Sequence, residues 1–151
     1  MTEHGPVELI HLADKENSVI VRVVGATSVG LPGGGCLIAE IVVASEFANG
    51  RLPEVYLLSD DLDDWAEAMD LLAAGRPVSW MDDGRNPEIR IELKGPYISQ
   101  GETLNAVEVE VRDASVSLTS VRVLVRLPDD WVDAHRRRLE QVHMAWPLGA
   151  R

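Results

Sequence analysis

The sequence predicts an α+β domain of about eight mostly antiparallel strands, forming a curved sheet or a two-layer β-sandwich, with one central and one C-terminal amphipathic helix. Three observations support this. Val107, Val109 and Val111 alternate with Glu108, Glu110 and Arg112, the period of two that marks a strand with one buried face. Residues 59–75, SDDLDDWAEAMDLLAAG, carry Leu62, Trp65, Ala66, Met69, Leu72 and Ala73 on one helical stripe. Residues 128–147, PDDWVDAHRRRLEQVHMAWP, place Trp131, Val132, His135, Leu139, Val142 and Trp146 on another.

In chain order, Met1–Pro6 reads as a disordered tail of a single domain spanning 1–151, a length that buries a core without disulfides. Val7–Ala13 and Ser18–Val24 form a hairpin across the turn at 14–17, with Arg22 outward and Val19, Val21 and Val23 inward. The glycine-rich stretch 25–35, GATSVGLPGGG, lacks the Gly-Lys-Ser/Thr ending and the following helix of a phosphate loop, so it reads as a connection or bulge between strands. The strand CLIAEIVVAS follows, with Glu40 either facing solvent or half-buried and paired. Glu54–Leu58 is a further strand leading into the first helix.

That helix has Ser59 as its expected N-cap and Gly75 as its left-handed stop. Asp60, Asp61, Asp63, Asp64, Glu67 and Asp70 take its other faces with no Lys or Arg between 59 and 75, so this helix holds more than half of the chain's net charge of −11. First-turn carboxylates gain about 0.3–1 kcal/mol each from the helix dipole, which explains Asp60, Asp61 and Asp63 but not Glu67 or Asp70. Pro77–Met81 is a short strand, and Asp82 and Asp83 open a turn beside Trp80. Ile89, Ile91 and Leu93, the valines at 107–111, and Val121, Val123, Val125 and Leu127 then form the inner face of a meander, with charged residues outside. Pro128 and Asp129 start the last helix and Pro147 stops it. Whether its arginines attract the acidic helix or face away is left open by the sequence.

Composition narrows the chemistry. A charge of −11 argues against nucleic acid, whose phosphates are met by Lys and Arg. The single cysteine, Cys36, opens an apolar run and reads as a core thiol in a reducing compartment. With no apolar segment resembling a signal peptide or a membrane span, the expectation is a cytoplasmic protein. No metal site is expected, because His135 and His143 lack the His-x-x-x-His spacing and the acidic helix lacks the alternating ligands and central glycine of a calcium loop. No cofactor motif and no Gly-x-Ser-x-Gly elbow is present. His135, in the middle of an apolar face, reads as a hydrogen-bonded core histidine ahead of a catalytic base.

Taken together, GLPGGG with its apolar strand, LSDDLDDWAEAMDLLAAG, VSWMDDGRNPEIRIEL and PDDWVDAHRRRLEQVHMAWP resemble a small actinomycete family known only as a domain of unknown function. That resemblance implies a stand-alone bacterial domain with no assigned activity. More distantly, the strand, the LS-x-x-DL-x-x-W helix, the short strand and the EIRIEL hairpin are similar to the WapI-type immunity proteins, which neutralise the toxic C-terminal domain of a contact-dependent toxin.

The functional expectation is a non-catalytic protein-binding domain, in its sharpest form an immunity-type inhibitor of a basic toxin. Asp60, Asp61, Asp64 and Glu67 would pair with Arg or Lys of that partner. The alternatives are a small enzyme or ligand-binding protein with a pocket between sheet and helix, built from Glu40, Trp65, Trp80 and His135, and a homodimeric structural module.

Overall fold

Side chains that alternate between apolar and polar build eight strands, and these pair into two antiparallel sheets of four. The computed structural model describes residues 5–27, 35–84 and 87–148. The first sheet is the meander β1 (Val7–Ala13), β2 (Ser18–Thr27), β3 (Cys36–Ala44) and β4 (Asn49–Leu57). Helix α1 (Ser59–Ala73) carries the chain to the second meander, β5 (Val78–Trp80), β6 (Glu88–Ser99), β7 (Glu102–Arg112) and β8 (Ser120–Leu127). Helix α2 (Trp131–Ala145) closes it. This is the expected α+β class, resolved into two sheets rather than one curved one.

Both sheets contribute their inner faces to one buried cluster. Val19, Val21 and Val23 meet Leu62, Trp65, Met69 and Leu72 of α1, Ile89 and Ile91, Val107 and Val109, and Leu139 and Val142 of α2 within it. Each such side chain contributes about 1.5–3 kcal/mol on leaving water. The outer face of the second sheet is charged, as its period implies. Arg90 stands opposite Glu110, and Lys94 bridges Glu92 (3.4 Å) and Glu108 (3.9 Å), two like charges that face each other across β6 and β7.

Free strand edges are covered by specific hydrogen bonds. The His11 N–H of β1 donates to His135 Nε2 of α2 at 3.0 Å. At the β1–β2 turn, Asp14 accepts from the N–H groups of Glu16 and Asn17 with one carboxylate oxygen and from the Arg126 N–H of β8 with the other. Burial works against ionising Asp14, yet these three donors outweigh it and hold the carboxyl below its ordinary range. Asn17 adds a bond from its amide to the Leu124 carbonyl at 2.7 Å.

Several boundaries differ from the sequence expectation. Strand β4 spans Asn49–Leu57 rather than Glu54–Leu58, because an edge strand accommodates Asn49, Gly50 and Pro53. Strand β2 runs on to Thr27 with a register shift between Val23 and Gly25, so the first residues of the glycine-rich stretch pair with β3; residues 28–34 and the tail residues 1–4 lie outside the described residues. The N-cap of α1 is Leu58, and Ser59 is the first helical residue. The Asp61 carboxylate reaches back to the Leu58 N–H at 2.8 Å, so a carboxylate inside the first turn does the capping expected of the serine. The buried stripe is correspondingly rotated: Asp61 and Ala68 are buried and Ala73 is exposed, since α1 packs on β5 as well as on α2. The stop is as expected. Gly75 sits at φ 80°, its N–H meets the Leu72 carbonyl, and the Arg76 N–H meets that of Leu71, a Schellman ending.

Two outcomes follow. Replacing Asp61 by Ala should cost about 1 kcal/mol in urea unfolding, while Asp61→Asn, which keeps an acceptor oxygen, should cost clearly less. His135, 2% exposed, is held by burial at a pKa of about 4, below the ordinary histidine value of 6.5. The unfolded chain therefore binds the extra proton between those values, so stability is full above pH 6.5 and declines as pH falls towards 4, by about 3 kcal/mol. Urea midpoints should show this slope between pH 6.5 and 4.5 in the native protein, and His135→Gln should flatten it; an equal slope in both would contradict the assignment.

Candidate functional site

Helix α1 points Asp60, Asp63, Asp64 and Glu67 into solvent because its apolar side is held in the core. Among the described residues, no cation lies within ion-pair distance of these four. Asp70, three residues beyond Glu67, differs: it pairs with Arg136 of α2 at 2.9 Å, and Arg136 also meets Asp133 at 3.0 Å. Those two carboxylates raise the guanidinium pKa further. The acidic and basic helices thus attract each other, the question the sequence left open.

Asp61, the remaining expected partner-binding residue, is only 5% exposed. Its carboxylate caps the helix and its carbonyl accepts the Trp80 indole N–H at 2.8 Å. The Trp65 and Trp80 rings lie 5.1 Å apart at 49°, a tilted pair at the base of α1. The Trp65 indole N–H has no acceptor among the described residues, so that ring contributes apolar packing only.

Trp80 is followed at once by Met81, whose φ of 61° turns the chain, and then by the exposed Asp82 and Asp83. The result is a groove of about 260 Å³ between α1 and this turn, lined by Asp64, Glu67, Leu71, Asp82 and Asp83 with Ser79 and Trp80 at its floor. Among the described residues that line it, none is basic. Carboxylates from two elements thus converge on one concavity. Asp82 and Asp83 read as a plain turn because nothing local says that a three-residue strand lays them against the helix.

Of the four residues expected to share a pocket, Trp65 and Trp80 meet, while Glu40 and His135 are engaged elsewhere. Those two rings form their tilted pair in the core. Glu40, 9% exposed, takes the second of its two readings: it is paired, with Arg51 at 2.8 Å and Arg22 at 2.7 Å, on the opposite face from Ala39 and Ile41. Arg51 and Arg22 hold its carboxyl below the usual carboxylate range, which makes it a poor proton acceptor. Arg22 also reaches Glu8 at 3.2 Å, and Glu8 meets His11 at 2.7 Å, so an ion-pair ladder crosses all four strands of the first sheet. His135 uses both ring nitrogens, accepting from the His11 N–H through Nε2 and donating from Nδ1 to the Trp131 carbonyl at 2.7 Å. It is the hydrogen-bonded core histidine the apolar face implied.

Among the described residues, no group of three or more His, Cys, Asp or Glu side chains is arranged to hold a metal ion. Among the described residues, no helix is long and apolar enough to cross a membrane. No curated protein and no solved structure matches the chain, and the likeness to the WapI-type immunity proteins is not shown by the comparisons. One family model covers residues 7–147, and on that match the chain belongs to DUF5959, a family of unknown function.

Proposed function

We propose that this protein is a non-catalytic binding domain whose acidic groove receives a cationic segment of a protein partner, and that the sharpest form of this role is an immunity-type inhibitor of a basic toxin such as a nuclease. The observation that supports the reading is the convergence of Asp64 and Glu67 from α1 with Asp82 from the following turn on one groove whose described lining residues include no Lys or Arg. Carboxylates on separate elements can take both edges of an Arg fork, and Leu71 at the rim offers apolar surface to the stem of an Arg or Lys. Asp60 and Asp63, exposed on the same helix, extend the negative field along the approach path. Asp61 serves indirectly, by fixing the start of the helix. Rim ion pairs add only about 0.2–1 kcal/mol each, so their main effect is on the rate of encounter and on the choice of partner.

The test is capture of binding proteins from the native host's lysate, at low salt and at about 0.3 M, where a surface field is strongly screened. A basic protein retained at low salt and weakened at high salt is the expected result. With that protein purified, Asp64→Lys, Glu67→Lys and Asp82→Lys combined should slow association by at least about tenfold. An association rate unchanged by the triple substitution would refute the proposal.

A further inference from the structure

A second concave feature shares no lining residue with the acidic groove, and it has the opposite character. Between the ends of the two sheets lies a mainly apolar cleft of about 220 Å³, walled by Ile41, Val43, Leu52, Val111 and Val121, with Arg51, Asp113, Ser117 and Thr119 also lining it. Two loops flank it. The β3–β4 turn, closed by Ser45 bonding to both the N–H and the carbonyl of Ala48, carries Phe47, the chain's single phenylalanine, at 99% exposure. The β7–β8 loop carries Val116 at 84% and Leu118 at 69%.

That second loop is held in shape. Asp113 accepts from the N–H groups of Val116 and Ser117 and from the Ser117 hydroxyl, and the Leu118 N–H returns to the Asp113 carbonyl. Leu118 itself adopts φ 61°, an unfavourable conformation for a branched side chain, which the loop's bonds enforce. Ordered loops therefore present three large apolar side chains to water around an apolar cleft. Their exposed area is roughly 400 Å², in the range of the largest apolar patch on a typical soluble protein, which is often functional.

We infer that this end of the molecule binds a second copy of the chain, Phe47 of each copy entering the cleft of the other. A twofold contact requires that protrusion and cleft occupy one patch, as they do here. Charge points the same way. Two copies at −11 repel over most of their surfaces, whereas segments 45–52 and 111–122 hold Glu46 and Asp113 against Arg51, Arg112 and Arg122, and 114–121 has no charge at all.

Sedimentation of the full chain between about 10 and 500 µM should show a monomer–dimer equilibrium. Added salt should strengthen it, since screening removes repulsion between the like-charged copies, the reverse of its effect at the acidic groove. Phe47→Asp and Val116→Asp should each raise the dissociation constant at least about tenfold, and Ile98→Asp, an exposed apolar residue on the β6–β7 hairpin, should not. Phe47 has almost no contacts to lose, so its replacement leaves the monomer folded. A monomer at every concentration would overturn the inference, as would a dimer indifferent to Phe47→Asp and Val116→Asp or one broken by Ile98→Asp alone.

Discussion

The hydrogen bond from the Trp80 indole to the Asp61 carbonyl is the constraint on which the rest of the acidic surface depends. Helix α1 is the connection between the sheets, and its first turn is fixed twice through Asp61, by its carboxylate on the Leu58 N–H and by its carbonyl under Trp80. Trp65, four residues on, packs on the same indole. Because Met81 to Asp83 follow Trp80 directly, pinning that ring also places the turn opposite Asp64 and Glu67. The groove is therefore a by-product of core packing: two buried tryptophans decide where four exposed carboxylates stand.

Edge strands explain several of the longest-range polar contacts. A meander ends in unpaired N–H and C=O groups that invite other chains to pair. Here α2 covers β1 through His135, and the β1–β2 turn covers β8 through Asp14 and Asn17. Strand β4 is guarded in another way, by Pro53, which has no N–H to offer, and by the charged Arg51 and Glu54 beside it. The same logic makes His135 structural. A ring that accepts from one backbone and donates to another has no free nitrogen for chemistry, and its burial keeps it neutral.

Much of this fold was legible because its signals are local. The period of two at 89–93, 107–111 and 121–127, the β1–β2 hairpin and the Gly75 stop all reflect the residues' own geometry. What was not legible depends on partners far along the chain. His135 meets His11 across 124 residues, Arg126 meets Asp14 across 112, and Glu40 could be assigned to a pair only once strand register put Arg22 and Arg51 beside it. Within the candidate site, the exposed acids of α1 were readable from helical spacing. The burial of Asp61 and the arrival of Asp82 and Asp83 were not, since both follow from where Trp80 docks.

The measurement that bears most directly on the acidic groove is a backbone NMR titration of the native protein with a short arginine-rich peptide. The expected result is a set of shifts confined to Asp64, Glu67, Leu71, Asp82 and Asp83 and their neighbours, fading at about 0.3 M salt as the surface field is screened. Shifts spread evenly over all exposed carboxylates, or centred on Glu102 and Asp129 away from the groove, would contradict the account, because net charge alone would then explain the binding.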